Sequence, residues 1–234
     1  MAERRWFPLE SDPEIMNLYS RKLGLDTTLF SFHDVLSIEE WGLSMVPRPV
    51  LAVLMLFPVK DASEAFAADE QRRIDAAGQS VSDRVFYMKQ TVGNACGTIA
   101  ILHALLNGRD RGLVFESSSY LTSFLQGTQE KSPEAIAEYL ESDDKIEGFH
   151  EEAAGLGQSE NTDEECNSHF ICFTLVDGCV YELDGRKKGP INHGASSSDS
   201  FLEDCCEVVK LFMARDPEET RFTLVALAQT EAGC

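Results

Sequence analysis

No apolar run in the chain approaches the ~18 residues needed to cross a bilayer as a helix, so no membrane span is expected. Basic residues are also scarce: 20 Lys and Arg stand against 40 Asp and Glu, a formal charge of −20 over 234 residues. Nothing neutralises phosphates in quantity, which argues against nucleic acid as a partner. The same imbalance disfavours anionic membrane surfaces and favours a basic partner or substrate; an acidic surface that serves only solubility is the competing reading. The start, Met1-Ala2-Glu3-Arg4-Arg5-Trp6-Phe7-Pro8, has basic residues but no apolar stretch behind them, so no secretory signal is expected. The seven cysteines form no CxxC pair and no regular framework. That argues against disulfides and a zinc site and for a reduced protein, cytoplasmic and also nuclear. No G-x-S-x-G, P-loop or dinucleotide fingerprint occurs, which removes the serine hydrolases and the common nucleotide folds. Neither metal nor cofactor is expected.

Hydrophobic residues make up 43% of the chain, enough for one sizeable core, and no internal repeat divides it. Asp12-Pro13-Glu14 predicts a helix start, a capping carboxylate followed by proline at the first helical position, with Gly24 as its stop. Val50–Phe57, bounded by prolines, fits a strand buried on both faces. A charged surface helix is predicted over Ser63–Ala77, a short extended piece over Val85–Met88, and an apolar helix over Ile99–Leu106. Further helices are predicted over Ser118–Gln126, Ser132–Glu141 and Ser200–Ala214, the last with Phe201, Cys205, Val208, Val209 and Phe212 inward. From Ser142 to Ser168 no periodicity is visible, which predicts a long loop. His169–Val176 and Cys179–Leu183 form a hairpin around Asp177-Gly178, and Phe222–Ala228 is a closing strand. The pattern is that of an α/β (α+β) single domain.

Cys96 lies between an extended segment and the apolar helix. A cysteine at a helix N-terminus meets unpaired backbone N–H groups and the positive end of the helix dipole, which favour thiolate. The same N–H groups can stabilise an oxyanion, and the Gln90 amide can swing toward the same point. Taken locally, a buried structural cysteine with Gln90 as a solvated turn residue fits equally well. The five histidines decide between these readings. His103 is about two helical turns, ~10 Å, along the same helix and reads as a packing residue. His33, His150 and His193 fall in loop-like or turn-like stretches and read as surface residues. For His169 the hairpin register pairs Ile171 with Asp184, which makes His169 and Asp184 diagonal neighbours on one face with Cβ atoms ~7–8 Å apart. Glu182 falls on that face too and stands as an alternative partner. The order Cys, His, Asp matches the papain-type arrangement, in which a helix carries the thiol and a strand the base.

The segment Gln90-Thr-Val-Gly-Asn94-Ala95-Cys96-Gly97 through Ala104 resembles the active-site signature of the ubiquitin carboxyl-terminal hydrolases, peptidase family C12. His169-Phe-Ile-Cys-Phe, Tyr181-Glu182-Leu183-Asp184-Gly185-Arg186 and Pro190-Ile-Asn-His193-Gly194 resemble its histidine and aspartate motifs. Arg5-Trp6-Phe7-Pro8-Leu9-Glu10 and Met45-Val46-Pro47-Arg48-Pro49-Val50 match as well, so the resemblance spans essentially the whole chain. It is nearest to the short, single-domain, L3-like members. One departure is Leu106, where the signature commonly has a small residue.

The resemblance implies a papain-like core, a central mostly antiparallel sheet flanked by helices with a knotted backbone. It implies one catalytic domain over 1–234, with a crossover loop at about 147–168 that passes small adducts and excludes large ones. It assigns Cys96 as nucleophile, His169 as general base and acid, Asp184 as the orienting residue and Gln90 as oxyanion donor. Ubiquitin contacts are expected at Pro8, Leu9, Glu10, Glu14 and Asp34, the acidic ones facing arginines of the ubiquitin tail; Glu14 reads equally as an ordinary helix-start residue. The implied activity is a thiol hydrolase cleaving after the C-terminal glycine of ubiquitin, with NEDD8 as a second substrate left open, acting as a monomer. The alternative is a ubiquitin-binding protein that buffers free ubiquitin with little turnover.

Overall fold

The computed structural model describes residues 6–158 and 167–230. In chain order the elements are α1 (Pro13–Leu23), β1 (Phe30–Asp34), α2 (Glu40–Leu43), β2 (Val50–Pro58), α3 (Asp61–Ala77), α4 (Cys96–Gly108), α5 (Tyr120–Thr128), α6 (Pro133–Glu141), α7 (Asp144–Ala154), β3 (Ser168–Val176), β4 (Cys179–Leu183), β5 (Ile191–Ala195), α8 (Phe201–Met213) and β6 (Thr223–Gln229). One six-stranded sheet runs β1-β6-β2-β3-β4-β5, antiparallel at every pairing. β2 sits between β6 and β3 and divides its side chains by the two-residue period of a strand. Ala52 and Leu54 enter the core under α4, whereas Val53, Met55 and Phe57 enter the core under α8. Helices therefore cover both faces, and every residue of α4 is buried.

The predicted starts and turns hold. Asp12 Oδ1 accepts from the Glu14 N–H at 2.7 Å, and Gly24, at φ 110°, ends α1 in the left-handed conformation glycine favours. Asp177 and Gly178 take φ of 47° and 72°, the tight hairpin turn their dipeptide predicts, with Val176 opposite Cys179. α3 buries no residue, as its charge pattern predicts.

Two expectations are corrected, the loop over Ser142–Ser168 and the placement of His33 and His193. The loop predicted over Ser142–Ser168 begins instead as α7, capped by Asp143 and burying Ile146, His150, Ala153 and Ala154. Glycine and a run of carboxylates hid that i, i+4, i+7 stripe. The stretch expected as a crossover loop is thus helical to Ala154, and residues 159–166 of it lie outside the described residues. Val85–Met88, expected as a short extended piece, belongs to no helix or strand. Its backbone is satisfied by α4 side chains one turn apart: the Phe86 N–H donates to Asn107 Oδ1 at 2.8 Å, and the Met88 N–H to His103 Nε2 at 3.2 Å. His33 and His193 lie in β1 and β5 rather than in loops. The closing strand predicted over Phe222–Ala228 is β6, the last element in chain order, and it lies inside the sheet between β1 and β2.

Candidate active site

Cys96 is the first residue of α4, where backbone N–H groups have no intrahelical partner. The turn before it is held by Asn94, which takes φ of 60° and donates from Nδ2 to the Trp6 carbonyl at 2.9 Å. The Trp6 N–H in turn donates to the Gly93 carbonyl at 2.9 Å. Leu9 lies flush on the next residue: a Cβ at Gly97 would meet Leu9 Cβ at 3.0 Å. Cys96 is 9% exposed. Burial pushes the Cys96 thiol up, but hydrogen bonding to His169, the imidazole charge and the Phe170 and Gly97 backbone N–H groups bring it below its ordinary value.

His169 stands near the start of β3, opposite Phe57 of β2, and is 4% exposed. Its Nε2–H donates to Asp184 Oδ1 at 2.7 Å, which leaves Nδ1 for the thiol. Asp184 follows β4, so the diagonal pairing predicted from the hairpin register is realised. The Arg186 N–H donates to the same carboxylate oxygen at 2.9 Å. Burial raises the Asp184 pKa, but the His169 hydrogen bond and charge with the Arg186 N–H leave it below the usual carboxylate range. Around the dyad, the Tyr87 hydroxyl shares its proton between the carbonyls of Asp184, at 2.8 Å, and Lys187, at 2.7 Å. Tyr87 is stacked on His103 at 5.4 Å. His103 is the packing histidine its position predicts, with burial driving its pKa to about 4.

Glu182 shares the face of His169 but is not its partner. It is 1% exposed and accepts from Lys187 Nζ at 2.5 Å and from His193 Nε2 at 2.9 Å. Burial raises its pKa, and the Lys187 and His193 charges and hydrogen bonds bring it down to about 2. His193, expected as a surface residue, is therefore part of a buried charge network. His150 is likewise interior: it sits between Thr98 Oγ1 at 2.8 Å and the Phe7 carbonyl at 2.6 Å. Burial lowers its pKa to about 4. Together with Trp6 Nε1, which donates to Glu147 at 3.1 Å, it fastens α7 to the N-terminal segment and α4. Neither Tyr87 nor His150 carries a local sequence signal of these roles, because both act through partners distant in the chain.

Gln90 is half-buried beside this turn. Its backbone N–H donates to the Gly185 carbonyl at 3.0 Å, and its Nε2 to the Val92 carbonyl at 3.3 Å. Contact with Gly185 is close: a Cβ there would lie 2.9 Å from Gln90 Cβ and 3.0 Å from its backbone nitrogen. Gly185→Ala is expected to force the two segments apart, costing about 1–3 kcal/mol of stability. kcat should fall with it, because Asp184 and Gln90 are displaced together. A thermal melt and steady-state kinetics on the same sample check this; unchanged values in both would contradict the packing.

The residues expected to meet a partner are spread along one end of α1 and β1. Pro8 and Glu10 are half-buried, Leu9 is buried, and Glu14 and Asp34 are exposed. Glu10 lies against Gly157, whose Cβ would come 2.9 Å from the Glu10 carboxyl carbon. Burial and the Asp12 charge raise the Asp34 pKa above its ordinary value, so an acidic field extends over this end. Among the described residues no group of three or more His, Cys, Asp or Glu is placed to hold a metal ion. The arrangement is a buried thiol facing an imidazole whose far nitrogen is held by a carboxylate, which is the chemistry of acyl transfer to sulfur.

Comparison with known proteins agrees with this geometry. Residues 6–214 match the family model described as ubiquitin carboxyl-terminal hydrolase, family 1. Ubiquitin carboxyl-terminal hydrolase 3 of Arabidopsis thaliana is 41% identical over 228 residues, covering 97% of this chain and 96% of that protein. Ubiquitin carboxyl-terminal hydrolase isozyme L1 of Rattus norvegicus is 44% identical over 222 residues, covering 95% and 97%. Among solved structures, the Trichinella spiralis UCH37 catalytic domain bound to ubiquitin vinyl methyl ester superposes with a TM-score of 0.75 at 24% identity, covering 98% of each chain. At that identity the likeness concerns the fold alone.

Proposed function

The chain belongs to the ubiquitin carboxyl-terminal hydrolases of family 1, and from that premise we propose how its residues carry out a cysteine-type ubiquitin hydrolysis. The observation that carries the reading is the imidazole of His169 set between the Cys96 thiol and Asp184, with the thiol drawn below its ordinary pKa. Cys96 attacks the carbonyl of the C-terminal glycine of ubiquitin, and the tetrahedral oxyanion is met by backbone N–H at the start of α4 and by the Gln90 amide. His169 gives its proton to the departing amine, leaving ubiquitin as a thioester on Cys96. Water, deprotonated by His169, then releases ubiquitin and restores the thiol. Asp184 holds the ring and supports its positive charge.

Glu10, Glu14 and Asp34 meet the basic tail of ubiquitin, with Pro8 and Leu9 forming an apolar wall beside it, and the formal charge of −20 speeds encounter. NEDD8 is proposed as a second substrate of the same site. The protein works as a monomer in the cytoplasm and nucleus, a placement supported by the free thiols of all five described cysteines. Fluorogenic C-terminal amides of ubiquitin and of NEDD8 test the reading. Dye is expected from both. Added salt should lower kcat/KM several-fold by screening and leave kcat nearly constant. Tight ubiquitin binding without dye release would overturn hydrolysis in favour of a ubiquitin buffer.

A further inference from the structure

The segment that carries Asp184 is closed into a ring by one side chain. Glu182 lies two residues before Asp184 and Lys187 three residues after it. The Lys187 ammonium reaches back to Glu182 at 2.5 Å and across to Glu70 of α3 at 2.8 Å. All three side chains are withdrawn from solvent, at 12%, 0% and 13% exposure for Lys187, Glu182 and Glu70. The backbone of Lys187 belongs to the same ring: its N–H donates to the Asp184 carbonyl at 3.0 Å, and its own carbonyl accepts from Tyr87 at 2.7 Å and from Lys89 Nζ.

A buried cation between two carboxylates is costly to form and is worth little to stability compared with apolar packing. Its geometry, however, fixes position. Lys187 pins both ends of the Asp184 turn to one point, and that point to α3. α3 buries no residue of its own. It is held by Arg186 to Glu64 at 2.5 Å, Lys188 to Asp75 at 2.6 Å and Arg215 over the Phe66 ring at 3.7 Å. The groups facing this centre from its neighbours are Glu70 of α3, His193 of β5, Asp184 itself and Arg215 beyond α8.

We propose that Lys187, by gripping Glu182 and Glu70, is a positioning residue that sets the distance between Asp184 and His169, and that α3 is the clamp on which it pulls. The proposal rests on the catalytic roles given above for Cys96, His169 and Asp184. Lys187 does not touch the reacting atoms and acts through the carboxylate that orients the imidazole. A displacement on the order of 1 Å in such a support lowers rate about 100-fold.

The test compares Lys187→Met, Lys187→Arg and the double variant Glu182→Gln with Lys187→Met. The double variant removes the Lys187–Glu182 charge pair together, leaving only Glu70, at 13% side-chain exposure, without its cation, and so guards against a single variant that fails to fold. Two readouts are taken, kcat and KM on a ubiquitin C-terminal amide, and the pH dependence of Cys96 alkylation by iodoacetamide. Lys187→Met and the double variant are expected to lose about 10- to 100-fold in kcat with KM within about twofold. The pH at which alkylation of Cys96 begins should rise by about one unit, because a displaced His169 supports the thiolate less well. Lys187→Arg, which can bridge two carboxylates, should recover most of both. A folded double variant with wild-type kcat, or with an unchanged alkylation profile, would overturn the proposal. The alkylation readout uses no ubiquitin, so it judges positioning even if the substrate assignment fails.

Discussion

Cys96→Ala is expected to reduce hydrolysis of ubiquitin C-terminal amides by at least about 10⁴-fold, to the background of the assay. The reason is not only that the nucleophile is gone but that no other described thiol can replace it. Burial raises the thiols of Cys172 and Cys205 well above their ordinary value and that of Cys206 to about 11. Cys179 is half-buried on β4 and falls on the face opposite His169 in the strand period. The fold should persist, because alanine favours the first helical position and the change removes one buried sulfur. The melting temperature should stay within a few degrees of wild type. Retention of activity within tenfold of wild type would remove Cys96 from the chemistry.

His169→Asn is the second large effect, an expected loss of about 10³- to 10⁴-fold in kcat. Asparagine keeps a polar side chain near Asp184 but can neither accept the thiol proton nor hand one to the leaving amine. Burial opposes charge on the His169 ring, yet the hydrogen bonds to Asp184 and Cys96 and the charges of both raise its pKa to about 9. The ring is thus biased toward its protonated form and the thiol opposite it toward thiolate. Without the ring, burial raises the thiol with only the Phe170 and Gly97 backbone N–H groups to oppose it, so iodoacetamide should label position 96 only at distinctly higher pH than in wild type.

The same pair has a signature in stability. A histidine whose folded pKa lies above its unfolded value stabilises fully below about pH 6.5, and that contribution disappears as pH rises through about 9. The lowered Cys96 thiol works in the opposite sense: its contribution is complete above the unfolded thiol pKa and is lost as pH falls through the folded one. In wild type the two partly cancel between neutral pH and 9. In Cys96→Ala only the histidine contribution is left, supported by Asp184. Stability measured by denaturant should then fall with rising pH by on the order of 1–2 kcal/mol. A steeper fall in wild type than in Cys96→Ala would contradict the coupling.

The dyad was legible because two short-range rules met. Asp177-Gly178 fixes the hairpin turn, and a strand places every second residue on one face, so the His169–Asp184 contact follows from counting. Cys96 was ambiguous by itself; a buried helix-start cysteine reads the same whether or not an imidazole lies above it. β2, with apolar residues at nearly every position, announces a central strand, while β1 and β5 are short and carry Ser31, His33, Asp34, Asn192 and His193, so they lack the alternation that marks a strand. α7 was hidden because its few apolar positions are separated by carboxylates and Gly148. The supports of the site stayed out of reach for a more general reason. Tyr87, His150 and Lys187 do their work through partners up to 143 residues away, as in the His150 contact with Phe7, and no local pattern specifies such a pairing.

The most direct test of the central claim is the reaction of the protein with ubiquitin vinyl methyl ester, followed by intact-mass measurement and peptide mapping. One ubiquitin should be added per chain, joined to the sulfur of Cys96, with no adduct on Cys96→Ala. An unmodified wild-type protein, or an adduct on a different cysteine, would contradict Cys96 as the nucleophile.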